Sequence, residues 1–161
     1  MRFILLLILS TFHASASVPL QLSDKQLASK TDHVFEAHVV GVDMIDDKGH
    51  QVTNDKAMTG PGLTNTIRLK VKIDKILVTN SKKVPEYIFV PLDSFMHYRL
   101  GQVKKAHEGK NPQGLFLLSG KQFSPPLAGV FRRPLEKKSY FVKHVKKKHT
   151  TSINKEANKQ E

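Results

Sequence analysis

The stretch TNTIRLKVKIDKILV, Thr64 to Val78, decides the fold. Ile67, Leu69, Val71 and Ile73 fall on one side of an extended chain, and Arg68, Lys70, Lys72 and Asp74 fall on the other. That period of two marks a strand with one face on a core and one toward solvent. The alternation breaks at Asp74-Lys75 and resumes at Ile76 and Val78, as one inserted residue would make it do; such a bulge bends a strand around a barrel corner. The three cations need an explanation of their own. A solvated outer face, with lysines that discourage edge-to-edge aggregation, accounts for them. A docking face for an acidic protein or a polyanion does too, because like charges on neighbouring positions repel.

Reading outward, HVFEAHVVGV (His33 to Val42) is a strand with Phe35, Ala37 and Val39 on one face, and Gly41 marks a bend or bulge. Before it, SDKQLASK makes about two helical turns capped by Ser23 or Asp24. Residues 43–63 carry turn signals at Asp47-Lys48-Gly49 and Gly60-Pro61-Gly62, and read as a long mobile connection or a loose hairpin. EYIFVPL, Glu86 to Leu92, is a strand limited by Pro91. Residues 93–112 are mixed, with room for a helical turn. GLFLLS, Gly114 to Ser119, is an apolar run of the length expected for a strand buried on both faces. Pro134 suits the first position of a terminal helix, although Tyr140 to Val145 fits a strand nearly as well.

The chain opens with Arg2, an apolar run from Phe3 to Leu9, and Ala14-Ser15-Ala16. This is the layout of a secretory signal peptide cleaved after Ala16. The run is short of the ~20 apolar residues of a membrane-spanning helix. The remaining single domain, 17–145, is followed by a basic tail, 146–161, whose polar composition predicts disorder. There is no cysteine, which excludes thiol chemistry and points to a bacterial periplasmic or secreted protein rather than a disulfide-stapled one. The formal charge is +12. Residues 17–131 hold 15 Lys and Arg against 11 Asp and Glu, whereas 132–161 hold 10 against 3. A nucleic-acid groove would spread its charge over the folded domain instead.

No residue set carries a recognisable chemistry. His33 and His38 face opposite sides of one strand, so they cannot share a metal. Asp93, Ser94 and His97 stand close in sequence, without the nucleophile elbow a hydrolase would need. Asp43, Asp46 and Asp47 miss the calcium-loop spacing. No cofactor, metal site or catalytic residue is expected. The candidate binding residues are Arg68, Lys70 and Lys72 on the strand, and Arg132, Arg133, Lys137 and Lys138 at the start of the basic end. No Tyr or Phe alternates with the strand cations, so the stacking platform of a single-strand nucleic-acid binder is missing from that row.

The strand pattern over residues 31–121, with DHVFEAHVVGV first, TIRLKVKIDKILV second and GLFLLSG as a later core strand, resembles exported OB-fold domains of the netrin-like, tissue-inhibitor-of-metalloproteinase type. The resemblance implies a mainly β fold: a small five-stranded OB-like barrel, with a short N-terminal helix and a helix as one of the two readings of 134–145. It implies a barrel suited to binding. The cysteine-based zinc chelation of the animal inhibitors cannot carry over to a chain without cysteine. The expected function is that of a non-enzymatic exported binding protein for a protein partner, as an inhibitor, immunity or envelope factor. The alternative is a polyanion binder, for lipopolysaccharide, anionic lipid or nucleic acid, using the basic C-terminal region.

Overall fold

A computed structural model describes residues 22–109 and 112–157, without the side chains of 152–157. The signal segment expected over 1–16 lies outside the described residues. In chain order the elements are helix α1 (Asp24–Lys30), strands β1 (His33–Ile45), β2 (Thr66–Val78) and β3 (Tyr87–Pro91), helix α2 (Leu100–His107), strands β4 (Gly114–Leu118) and β5 (Arg132–Arg133), a 3-10 turn (Leu135–Lys137) and helix α3 (Lys138–Ala157). The fold is mainly β. All strand pairs are antiparallel, in one five-stranded sheet of order β3-β2-β1-β4-β5.

The register of β1 against β2 shows why the alternation at Thr64 to Val78 breaks where it does. Two residues oppose one at Asp74 and again at Leu77, and Val40 is the extra residue on β1. Ile67, Leu69 and Val71 are buried as expected, and Ile73 packs partly buried against them. Ile76 does not rejoin that row. The second bulge leaves it 48% exposed and turns Leu77 and Val78 toward a different core. Gly41 sits directly after the bulge on β1, opposite Lys70.

The sheet is covered on both sides. Phe35, Val39, Val71, Val90, Phe116 and Leu118 pack with Leu100 and Val103 of α2 and with Phe123 and Phe131 from the loop before β5. On the other side Val34, Val78, Leu115 and Leu117 meet Leu27 and Ala28 of α1 and Phe141 and Val145 of α3. GLFLL is apolar throughout because its alternate residues serve these two cores. Each fully buried Leu or Phe stabilises the fold by about 1.5–3 kcal/mol.

Local chemistry sets the helix ends. The Ser23 hydroxyl accepts from Gln26 N at 3.3 Å while Gln26 Oε1 accepts from Ser23 N at 3.0 Å, a reciprocal cap that starts α1. Residues 140–145 are helical, because Phe141 and Val145 share one face of α3 at a spacing of four and reach the second core together. The helix continues through Lys146–Lys148 to Ala157, past the boundary at 145 where the tail was expected to begin. No helix among the described residues is long and apolar enough to cross a membrane.

The sheet does not close into a ring. β3 and β5 lie at its opposite ends, and no pairing joins them among the described residues. β5 is two residues long and is stopped by Pro134, while β3 ends at Pro91, which has no N–H to offer a further strand on its free edge.

Candidate functional site

The outer face of β2 and β3 carries the basic row, and its neighbours change what that row is. In the register, Arg68 faces Pro91, Lys70 faces Phe89 and Lys72 faces Tyr87. Ile88 and Val90 point into the core, so Tyr87 and Phe89 point out, 40% and 43% exposed. The cations lean diagonally over these rings. The Arg68 guanidinium lies 4.6 Å from the centroid of Phe89, and Lys70 Nζ lies 5.0 Å from that of Tyr87. Such contacts contribute about 0.5–1 kcal/mol each at exposed sites. No aromatic residue alternates with the cations within β2; the adjacent strand supplies them. The signal was present in EYIFVPL, whose own alternation places Tyr87 and Phe89 outward, but only pairing across the turn brings the two rows together.

Charge on this face is largely compensated. Arg68 donates to Asp43 through both Nε (2.9 Å) and Nη2 (2.5 Å), and these bonds hold its pKa above the ordinary arginine value. Lys72 Nζ lies 3.7 Å from Glu86, and His38 Nδ1 meets Asp74 at 2.8 Å. Among the described residues Lys70 has no carboxylate within 4.0 Å. The repulsion expected of three lined-up cations is therefore relieved locally: two of the three have a carboxylate beside them.

The terminal cations are placed elsewhere and occupied differently. Arg133 and Lys137 both bind Asp24, at 3.0 Å each, and Lys138 binds Glu36 at 2.6 Å. Lys148 binds Asp32 at 2.8 Å and the Thr31 carbonyl at 2.9 Å. Arg132 donates to the Pro112 carbonyl at 2.6 Å and lies over Phe116. The Lys137 hydrogen bond, joined by that of Arg133, holds the Asp24 carboxyl below its usual range. Burial pushes Asp32 up, but Lys148 and the Gly120 N–H outweigh it and hold that carboxyl down. Four of these basic residues thus fasten the C-terminal part of the chain to α1, to β1 and to the turn between them. Lys143, Lys146 and Lys147 are exposed on α3.

Beyond β3 the chain makes a tight turn that presents Phe95, 75% exposed, and Met96, 52% exposed. The turn is firmly held. Phe95 N donates to Asp93 Oδ1 at 3.0 Å, and the buried Thr59 hydroxyl donates to the Met96 carbonyl at 2.7 Å. The connection over 43–63 is accordingly no loose loop. It is tied to the 93–99 segment by the Met58–Arg99 bridge and to α2 by Lys104 on Asp55 at 2.8 Å.

The remaining sequence candidates do not converge. His33 is buried, its Nδ1 on the Thr79 hydroxyl at 2.8 Å and its Nε2 on the Gly120 carbonyl at 2.9 Å, whereas His38 faces outward. The His97 ring packs against Gly60, and no hydrogen bond joins it to Ser94 among the described residues. Compared with protein-family models, with curated proteins and with solved structures, the chain matches none.

Proposed function

We propose that this is a non-enzymatic, exported binding protein that docks a protein partner through the outer face of β2 and β3. One observation carries the reading: Tyr87 and Phe89 stand exposed on an ordered strand, beneath Lys70 and beneath an Arg68 whose charge Asp43 neutralises. Exposed aromatic rings beside Arg are the composition of protein-binding hot spots. A polyanion site needs cations free to replace counterions, and Arg68, Lys72, Arg133, Lys137, Lys138 and Lys148 each have an acid partner within the chain. The location would be the periplasm or the exterior, in keeping with the N-terminal Arg2-to-Ala16 pattern.

The sheet order supports an OB-like reading in which β3 and β5 flank the unclosed side of a partly open barrel of the netrin-like kind. In that fold the face of the second and third strands takes oligonucleotides and oligosaccharides, so the salt dependence of binding is the measurement that separates a protein partner from a polyanion.

Cross-linking in the native cells with mass spectrometry tests the proposal. The double variant Tyr87→Ser/Phe89→Ser is expected to lose a protein adduct that Lys143→Gln/Lys146→Gln/Lys147→Gln retains. The complex should also persist between about 50 and 200 mM salt, a range over which polyanion binding falls steeply. The opposite pattern, with a salt-sensitive complex on lipopolysaccharide or nucleic acid, would assign the function to the basic end.

A further inference from the structure

The unpaired edge of β3 adds a mode of recognition to the proposed face. Leu92 N donates to the Ile67 carbonyl, and Ile73 N donates to the Glu86 carbonyl, each at 2.9 Å. In an antiparallel ladder the exchanging pairs alternate. The register therefore makes Leu69/Val90 and Val71/Ile88 the other exchanging pairs. Tyr87, Phe89 and Pro91 fall between them, and their main-chain groups point away from β2. The edge thus offers the N–H and C=O of Tyr87, the same pair on Phe89, and the Pro91 carbonyl. β3 is the last strand on its side of the sheet, and no hydrogen bond to these main-chain groups arrives from elsewhere among the described residues.

We infer that an extended segment of the protein partner adds to β3 as an antiparallel strand, and that its outward side chains are acidic. This rests on the protein-binding reading above and specifies its geometry. The main chain of the incoming strand would supply the hydrogen bonds, and side chains would supply the selection. Charge selects the class of segment. Asp43 already holds Arg68, so the charge on offer is that of Lys70. Lys70 has no carboxylate within 4.0 Å among the described residues and lies across β3 on the Tyr87 ring, shifted from β2 toward the free edge. A carboxylate on the outer face of a strand one spacing further, about 4.8 Å, comes within reach of it. The same head disfavours a second copy of this chain, because β3 against β3 would bring two Lys70 heads toward each other. Pro91 limits the edge to a short pairing, so the added segment needs only a few residues.

The test uses the folded full chain and three blocked peptides of about eight residues. One alternates Glu with Val, the second replaces Glu by Lys, and the third is the Glu peptide with alternate amides N-methylated on the edge that would face β3. Binding is read by fluorescence anisotropy, and amide exchange at Tyr87 and Phe89 by NMR. The Glu peptide is expected to bind and to slow exchange of those two amides at least about tenfold, while the Lys and N-methylated peptides bind at least about tenfold more weakly. Equal binding of the N-methylated peptide, exchange protection on α3 instead of β3, protection that grows with protein concentration alone, or no binding at millimolar peptide would each overturn strand addition. If a cross-linked partner is still lost in Tyr87→Ser/Phe89→Ser while the peptides fail, the face binds protein by side chains alone. Loss of both results would remove the underlying reading too.

Discussion

Phe123 is the residue at which backbone and side chain disagree most. Its φ of +53° lies in the left-handed region, which a bulky residue occupies at a cost of about 1–3 kcal/mol. It stays there because its ring fills a gap in the core, 4.7 Å from the His33 ring and 5.8 Å from Phe35. Replacing it with Ala should destabilise the protein by about 3–5 kcal/mol, the cost of an emptied aromatic site. Phe123→Gly should be no worse than Phe123→Ala, reversing the usual order, because glycine adopts this conformation without strain. Chemical denaturation of both variants reads the difference.

His33, under that ring, is the other decisive residue. Nε2 donates to the Gly120 carbonyl, so Nδ1 is left to accept from Thr79, and the ring is neutral in this arrangement. Burial lowers its pKa from the ordinary 6.5 despite the Gly120 carbonyl and Asp32. The unfolded chain then binds the proton more readily than the native one. Stability from this group is complete above 6.5 and declines as pH falls through 6.5 toward the lower native value. Urea titrations of the wild type should show that decline, and His33→Gln should flatten it.

At the scale of elements, β2 separates side chains that hold the fold from those that face outward. Val71→Ala should cost about 2–4 kcal/mol, and Lys70→Ala under about 0.5. Equal losses in thermal or denaturant unfolding would mean the strand is not inserted this way. Much of this was legible beforehand: the inward row at Ile67, Leu69 and Val71, the break at Asp74-Lys75, the doubly buried run at Gly114, and the capped helix at Ser23. Ile76 was not, because a second bulge leaves no mark in an already irregular pattern. β5 was not, because two arginines carry no alternation and pair only through the loop that delivers them. The aromatic half of the proposed binding face was hidden for a related reason. Tyr87 and Phe89 lie 17 and 19 residues beyond Lys70 in sequence and become its neighbours only through β2–β3 pairing.

At the scale of the whole molecule, the uneven charge works between the two ends of the chain. Asp24, Asp32 and Glu36 sit near the start of the described chain, and Arg133, Lys137, Lys138 and Lys148 near its finish. The surplus of cations at the C-terminal end meets these early carboxylates, an arrangement composition reveals only as an asymmetry. Ending the chain after Val145 removes Lys148 from Asp32 and leaves that carboxylate and the Thr31 carbonyl without it. We expect a loss of about 1–2 kcal/mol, a fall in Tm of roughly 3–8 °C, with binding through the β2–β3 face retained. Calorimetry and the cross-linking assay read the two effects separately.

The central position of β1 also has a consequence in time. β1 pairs with β2 on one side and with β4 on the other, and β4 begins roughly 80 residues after β1 does. At a synthesis rate of about 5–20 residues per second, Val34 to Ala37 wait several seconds for their second neighbour. The contact of α1 with α3 comes later still. Pairings that span so much of the chain close slowly. Until Leu118 has been made, one edge of the middle strand stays open, and neither core on the two sides of the sheet can close.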